Sequence, residues 1–277
     1  MRVIETVAEF RAARAGAGDL GLVPTMGYLH DGHMSLVARA KAECAAVAVS
    51  IFVNPTQFAP NEDLARYPRD LPRDLGLLGP AGVDLVFAPA PQEIYPAGFD
   101  TTVEVRGVTD VLEGAVRPGH FAGVATVVAK LFNIVQPSRA YFGQKDAQQS
   151  VVIRKLVRDL NLPVEVIVAP TVREPDGLAL SSRNSYLTPE QRAAGPAIYR
   201  ALNAARARFE AGERNAEFLR DAMRSVIAAE PLMSLDYASV ADADTLQELA
   251  TVNGAALASM AVRVGPTRLI DNLLLDA

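Results

Sequence analysis

The sequence predicts an α/β protein: a doubly wound parallel sheet followed by a smaller α+β domain. Through about residue 172, short apolar runs rich in β-branched residues alternate with helical patterns. Strands separated by helices favour a parallel sheet, because parallel neighbours need a crossover connection. Beyond this point come helical segments and then strand-like segments. We therefore expect one domain over 1–172 and a second, closely packed domain with an antiparallel sheet over 173–277.

The first domain contains the apolar runs that predict strands buried on both faces. They lie at 19–26, 45–53, 83–89, 139–143 and 163–172. The predicted helices between them cover 33–44, about 69–82, 124–137 and 146–161. The helix at 124–137 is apolar nearly all round, which indicates an interior or interface helix. Ligands of such sheets bind beyond the carboxyl ends of the strands.

The second domain is predicted to begin with helices. Thr188 followed by Pro189 and Glu190 is typical of a helix start, so one long helix is expected over 188–212. A second helix is expected over 215–230. Three strands with turns are predicted for the remainder, and "RVGPTRLIDN" (263–272) is interpreted as a closing strand.

The composition limits the possible partners. A net charge of −5 argues against a broad nucleic-acid surface, which needs a basic field. It does not argue against a nucleotide, because a few cations in contact with a phosphate outweigh distant, screened charges. The longest apolar runs reach about half the length that spans a bilayer. With the single cysteine Cys44 and acidic Glu5 and Glu9 near the start, we expect a cytoplasmic protein without a membrane segment.

Two of the three histidines, His30 and His33, lie three residues apart where a strand gives way to a helix. Phosphate is attracted by the unpaired N–H groups and the partial positive charge of a first helical turn. Gly27 and Gly32 are expected to let an anion or a nucleobase approach the backbone. Imidazole N–H groups would then stabilise the charge that develops during nucleotidyl transfer. A surface coincidence and a zinc site are the alternatives, and the strand-to-helix setting favours phosphate.

Polar residues follow other predicted strands and turns. Asn54 and Gln57, just after the second long strand, suit a substrate with a carboxylate and hydroxyls, although a simple turn is the alternative. Arg117 is a candidate ligand for a substrate carboxylate, because its guanidinium matches one bidentately. His120 is interpreted as structural rather than catalytic.

Two further motifs carry phosphate chemistry. In "YFGQKDAQQS", Gly143 allows close approach of a nucleotide, and Lys145 supplies a point charge for phosphate. Asp146 either caps the next helix or binds ribose. In "SSRN" (181–184), two hydroxyls and a guanidinium suit a triphosphate, with an ordinary polar turn as the alternative.

The motif "PTMGYLHDGH" resembles the signature of the pantoate–β-alanine ligase (pantothenate synthetase) family of the HxGH nucleotidyltransferase superfamily. The other motifs match in order along nearly the whole chain. The resemblance implies a Rossmann-like fold whose second domain closes over the ATP site. It also implies condensation of (R)-pantoate with β-alanine through a pantoyl adenylate, releasing AMP and pyrophosphate. Magnesium held mainly by ATP and a homodimer are implied as well.

The resemblance also assigns roles to residues. Catalysis is expected from His30, His33 and Lys145, with His33 as the proton donor. ATP contacts are implied for Met26, Gly27, Tyr28, Leu29, His30, Asp31, Gly32, His33, Gly143, Gln144, Lys145, Asp146, Val172, Leu180, Ser181, Ser182 and Arg183. Contacts with pantoate or β-alanine are expected for Asn54, Gln57, Tyr67, Arg117 and Gln149. For magnesium the chain offers only Asp74, beside Arg73, where family members often have an acidic cluster.

Two other functions compete with this interpretation. One is another HxGH nucleotidyltransferase with a different acceptor, against which the paired glutamines Gln57 and Gln149 argue. The other is a catalytically silent ATP-binding module. The presence of His30, His33 and Lys145 argues against a module that binds ATP without catalysing a reaction.

Overall fold

The computed structural model describes residues 1–60 and 62–276, and its first part is built on a six-stranded parallel sheet. The strands are β1 (Arg2–Ile4), β2 (Leu20–Thr25), β3 (Ala46–Ile51), β4 (Leu85–Phe87), β5 (Arg139–Gly143) and β6 (Glu165–Ala169). Their order is β1-β4-β3-β2-β5-β6, and every pair is parallel. The predicted doubly wound sheet is confirmed. Strand β1 was missed because Arg2–Ile4 lies in no apolar run, whereas the equally short β4 lies within the predicted run at 83–89.

Helices cover both faces of this sheet. They are α1 (Val7–Arg14), α2 (Asp31–Glu43), α3 (Leu71–Leu78), α4 (Pro91–Ile94), α5 (Glu113–Val116), α6 (His120–Val135) and α7 (Ala147–Asp159). Leu22 of β2 packs in the core cluster that contains α6, whereas its neighbour Val23 packs in the cluster that contains α2. Helix α6 is buried along most of its length, so the apolar helix predicted at 124–137 is an interior helix.

The second part contains a three-stranded antiparallel sheet in the order β7-β8-β9. Its elements are α8 (Pro189–Ala194), α9 (Ala197–Glu210), α10 (Ala216–Ala228), β7 (Met233–Asp242), β8 (Ala256–Val264) and β9 (Thr267–Leu275). The prediction of a single long helix over 188–212 is wrong, because the segment forms two helices, α8 and α9. The break lies at Gly195 and Pro196, because proline lacks the N–H that a continuous helix requires. Thr188 caps α8 as predicted, in a reciprocal capping box with Gln191.

The strand order creates a topological switch point between β2 and β5, in the middle of the first sheet. Strand β2 pairs with β3 on one side and with β5 on the other, so the connections run in opposite directions from this point. A crevice forms where the carboxyl ends of two such strands diverge. The histidine motif follows β2, and the lysine motif follows β5.

Across the ranges that the structure describes, none of the helices is both long enough and apolar enough to cross a membrane.

Candidate active site

A cleft of about 930 Å³ opens at the switch point. This volume is at the upper end of the range for small-molecule sites. The predicted residues that line it are Met26, His30, Gly32, His33, Asn54, Gln57, Tyr67, Arg117, Gly143, Lys145, Asp146, Gln149, Val172, Leu180, Ser181, Ser182 and Arg183. The predicted residues outside its lining are Gly27, Tyr28, Leu29, Asp31, Asp74 and Gln144. The fold therefore brings together motifs that lie more than a hundred residues apart.

The two histidines form a reciprocal cap at the start of α2. Nδ1 of His30 accepts a hydrogen bond from the Gly32 N–H at 3.2 Å, and Nδ1 of His33 accepts one from the His30 N–H at 3.3 Å. A neutral imidazole that accepts at Nδ1 carries its proton on Nε2. Each ring therefore keeps its Nε2–H as the donor for a ligand. The ring centroids are 4.1 Å apart, and both residues line the cleft.

Gly32 is required by this cap. A Cβ at this position would lie 2.9 Å from two atoms of the His30 ring. At Gly27, where φ is +81°, a Cβ would lie 3.0 Å from Ile51 and 3.1 Å from Asp74. The space freed by both glycines is thus filled by the protein's own side chains. The reason given from the sequence, room for a ligand, is corrected.

Both histidines are neutral at pH 7. Burial, followed by the nearby charge of Lys145, lowers the pKa of His30 to about 4. Burial, followed by His30, lowers the pKa of His33 to about 3. Imidazoles with such pKa values donate through Nε2–H without carrying a charge. Proton donation by His33 requires the negative charge of a bound polyphosphate to raise its pKa.

Asp74 holds the turn that precedes the histidines. Its two carboxylate oxygens accept hydrogen bonds from the N–H groups of Tyr28 at 2.7 Å and Leu29 at 2.8 Å, and its side chain is buried. These bonds stabilise Tyr28 at a φ of +51°. We therefore correct the assignment of Asp74 as a metal ligand to a structural one. Within the described ranges, no three His, Cys, Asp or Glu side chains cluster to hold a metal ion.

The lysine motif forms a short 3₁₀ turn between β5 and α7. Lys145 Nζ lies 3.5 Å from the Asp146 carboxylate. Burial alone would raise the pKa of Asp146, but Lys145 and then Arg183 lower it. The Asp146 side chain makes no capping hydrogen bond with α7, so that structural alternative is wrong. A Cβ on Gly143 would meet no protein atom within 4 Å, which agrees with close approach of a ligand there.

Asn54 positions Gln57 and has no capacity left for a substrate. Its Nδ2 donates to Gln57 Oε1 and to the Gly123 carbonyl, both at 3.1 Å, and its Oδ1 accepts from the Tyr95 hydroxyl at 2.8 Å. The prediction that Asn54 binds substrate directly is corrected. A Cβ on Gly123 would lie 2.4 Å from the Thr56 carbonyl oxygen, so only glycine allows α6 to pack here. Sequence reasoning missed Gly123 and Tyr95.

The arginines predicted for substrate anions are paired with carboxylates of the protein. Arg117 binds Glu62 bidentately at 2.6 and 2.7 Å, and Arg183 binds Asp63 at 2.9 and 3.0 Å. Glu62 and Asp63 are therefore paired with arginines rather than solvated. His120 contacts Arg117 at 3.1 Å through Nε2, in agreement with a structural role.

The "SSRN" motif lies beside the histidine motif. The chain forms a hairpin in which the Leu180 N–H donates to the Val172 carbonyl at 3.0 Å. Ser181 then caps the following 3₁₀ turn, and the Ser182 hydroxyl donates to the Tyr28 carbonyl at 3.4 Å. Motifs from both parts of the chain therefore meet at one edge of the cleft.

A family profile described as Pantoate-beta-alanine ligase matches residues 2–274. The chain belongs to the pantoate–β-alanine ligase family. It is 66% identical over 276 residues to the pantothenate synthetase of Chloroflexus aggregans (strain MD-66 / DSM 9485), covering 99% of this chain and 100% of the relative. To the pantothenate synthetase of Roseiflexus castenholzii (strain DSM 13941 / HLO8) it is 65% identical over 278 residues, covering 100% of both.

Solved structures of this ligase family have the same fold. The Thermus thermophilus pantothenate synthetase superposes with a TM-score of 0.97 at 55% identity, covering 100% of both chains. The Francisella tularensis pantoate–β-alanine ligase, complexed with Beta-gamma ATP and Beta-alanine, superposes with a TM-score of 0.81 at 38% identity, covering 99% and 97%. The predicted family and fold are confirmed, and the activity that comes with membership is ligation that forms pantothenate with ATP as a substrate.

Proposed function

We propose that this ligase joins pantoate to β-alanine in two half-reactions within the cleft. First, a pantoate carboxylate oxygen attacks the α-phosphorus of ATP, and the bond to pyrophosphate breaks. The β-alanine amine then attacks the acyl carbon of the pantoyl adenylate, loses a proton and displaces AMP. Adenylation is needed because a carboxylate oxygen is a poor leaving group until it is bonded to phosphorus. The convergence of His30, His33 and Lys145 at the switch point is the observation that carries this proposal.

The protein's part in the first half-reaction is to position groups and stabilise charge. The Nε2–H donors of His30 and His33 and the Lys145 ammonium would bind the oxygens of the phosphorus under attack and of the departing pyrophosphate. A nucleophile on the protein is not required. Because both rings are neutral, burying them does not require the desolvation of a charged imidazolium.

The nucleotide is proposed to extend from the β5–α7 turn to the "SSRN" segment. Gly143 would let adenosine approach the backbone, and Asp146 would accept hydrogen bonds from ribose. Val172 and Leu180 would contact the adenine side of the site. Ser181, Ser182 and Arg183 would bind phosphate oxygens as the second domain (173–277) closes over ATP, and Arg183 would exchange Asp63 for phosphate.

Pantoate is proposed to lie between Gln57 and Gln149. Both side chains line the cleft, and Gln57 is held by Asn54. Val127 of α6 lines the same wall and offers an apolar surface for the gem-dimethyl group. Tyr67, which is buried against Phe58, closes the outer side. A substrate carboxylate would reach Arg117 only after Glu62 has moved away.

Magnesium, the assembly and the location complete the proposal. Mg²⁺ would bridge ATP phosphates and be held mainly by them, so EDTA should abolish turnover. A homodimer is inferred from the resemblance, and light scattering measures it. We infer a cytoplasmic location, where ATP is available and Cys44 stays reduced.

The test is an assay of AMP formation in which ATP, pantoate and β-alanine are omitted in turn. AMP should require all three substrates, whereas exchange of labelled pyrophosphate into ATP should require pantoate but not β-alanine. Gln149→Ala should raise KM for pantoate about 10-fold with little change in KM for ATP. The exposed Gln247→Ala is the matched control. Exchange supported by another acid but not by pantoate would contradict the assignment.

A further inference from the structure

The end of the chain contacts the lysine motif directly. The segment "RVGPTRLIDN" forms the end of β8 and most of β9, and Asp271 and Asn272 within it are buried although they are polar. Buried polar side chains are costly unless hydrogen bonds satisfy them. Their partners therefore show what these two residues do.

Asn272 binds the backbone of the β5–α7 turn. Its Nδ2 donates to the carbonyl oxygens of Gln144 at 3.0 Å and Lys145 at 2.9 Å. Its Oδ1 accepts from Gln144 Nε2 at 3.0 Å. Both donors of the carboxamide are used. Two successive peptide groups of the turn are thus fixed by one side chain from the other domain.

Asp271 anchors this arrangement on the opposite side. It accepts two hydrogen bonds from Arg173, at 2.5 and 2.9 Å, and one from the Asn272 N–H at 2.8 Å. The Arg173 guanidinium also lies 3.9 Å from the centroid of the Tyr199 ring. Because Arg173 directly follows Val172, β9 is tied to the segment that contains Val172 as well as to the β5–α7 turn.

We propose that Asn272 is a positioning residue that holds the Lys145 backbone so that the ammonium group reaches the polyphosphate. This inference rests on the role proposed for Lys145, and it gives the C-terminal sheet a part in the first half-reaction. The Lys145 ammonium contacts only Asp146, at 3.5 Å, among the ion pairs of the described residues. A lysine ammonium with a single charged partner depends on its backbone for its position, and a misplacement of about 1 Å can cost up to 10²-fold in rate.

The first arm of the test is Asn272→Asp. This change preserves the shape but replaces two donors with acceptors that face two carbonyl oxygens. The kcat of pantoate-dependent pyrophosphate exchange should fall about 10-fold, whereas KM for ATP and, in the full reaction, KM for β-alanine should stay within about two-fold. The control is Asn133→Asp, an exposed asparagine whose Nδ2 donates to the Ala129 carbonyl, and it should leave kcat unchanged. A 10-fold rise in KM for β-alanine would show a general defect and overturn the proposal.

The second arm is a double-mutant cycle with Lys145→Ala. If Asn272 acts through Lys145, adding Asn272→Asp to Lys145→Ala should lower kcat by less than about three-fold. A larger further loss shows independent action and overturns the proposal. If Asn272→Asp does not fold, Asn272→Ser, which keeps one donor, enters the same cycle. Full kcat in Lys145→Ala would refute the role of Lys145 itself, whereas full kcat in Asn272→Asp alone would refute only the positioning.

Discussion

The histidine pair and the arginine pair of the cleft are built in different ways. His30 caps α2 and His33 lies in its first turn, and backbone N–H groups at this cap fix both rings. Arg117 and Arg183 are held by acids 55 and 120 residues away, at positions 62 and 63. The first pair depends on local spacing, and the second depends on the tertiary fold.

The two pairs differ in how far they are arranged before a ligand binds. In the histidine region (30–33) the Nε2–H donors are oriented before ATP binds, which avoids reorganisation when charge develops. In the arginine region, which is Arg117 and Arg183 with their acids at 62 and 63, each guanidinium is paired with a carboxylate of the protein. Each must therefore exchange that carboxylate for a substrate anion. Partly buried ion pairs of this kind lower the net gain from binding an anion. We therefore expect changes in the histidine region to affect kcat and changes in the arginine region to affect KM.

The largest effect is expected for His33→Ala. Turnover should fall by about 10²-fold or more, because the Nε2–H donor is lost, while the fold survives. Loss of the cap should also cost about 1 kcal/mol in the free energy of unfolding. His33→Gln separates the two functions, because a glutamine at this capping position accepts from the His30 N–H. The glutamine variant should regain stability in urea unfolding but not turnover. Wild-type turnover in either variant would remove His33 from the mechanism.

Gly32→Ala tests whether the local geometry of the cap matters. The added Cβ would lie 2.9 Å from the His30 ring, so the ring must rotate and its Nε2–H must move. We expect kcat for pyrophosphate exchange to fall about 10-fold. The control is Gly76→Ala at an exposed position of α3, where a Cβ meets nothing within 4 Å. Equal kcat values for the two variants would count against a prebuilt histidine site.

Acidic pH should weaken the fold through the histidine region. The histidine pKa values, about 4 for His30 and about 3 for His33, lie below the ordinary 6.5. The unfolded chain therefore binds protons that the folded chain excludes as the pH falls below 6.5, and stability is lost progressively toward the folded pKa values. From pH 7 to pH 5, urea unfolding should show a loss of roughly 2 kcal/mol for the buried His33 and a smaller loss for His30, which is partly exposed to solvent. His33→Gln should lose less than the wild type, and an equal loss would contradict the assignment.

The smallest effect is expected in the arginine region. Asp63→Asn removes the carboxylate that competes with phosphate for Arg183, so KM for ATP should fall about three-fold with little change in kcat. The matched control is Asp176→Asn, whose partner Arg192 lies on the surface outside the cleft lining. A higher KM for ATP in Asp63→Asn would show that the acid assists binding.

Local patterns in the sequence were enough to predict the class of fold, the starts of helices and the contacts between residues a few positions apart. Alternating apolar segments predicted the parallel sheet, and Thr188 predicted the start of α8. The spacing of His30 and His33 predicted their common site, because a helix places residues three apart on one side. Side chains that meet within four residues have a geometry that the backbone period dictates.

Which distant groups meet followed from the packing of the folded chain and not from any local pattern. The tertiary structure showed that Asn54 is saturated by Tyr95 and Gly123, and that acids already hold Arg117 and Arg183. These contacts depend on how sheets and loops pack, and an Asp or Glu in a loop has the same sequence pattern whether it is solvated or paired. Burial removes water as the alternative partner, so packing, rather than residue type, fixes what each polar group does here.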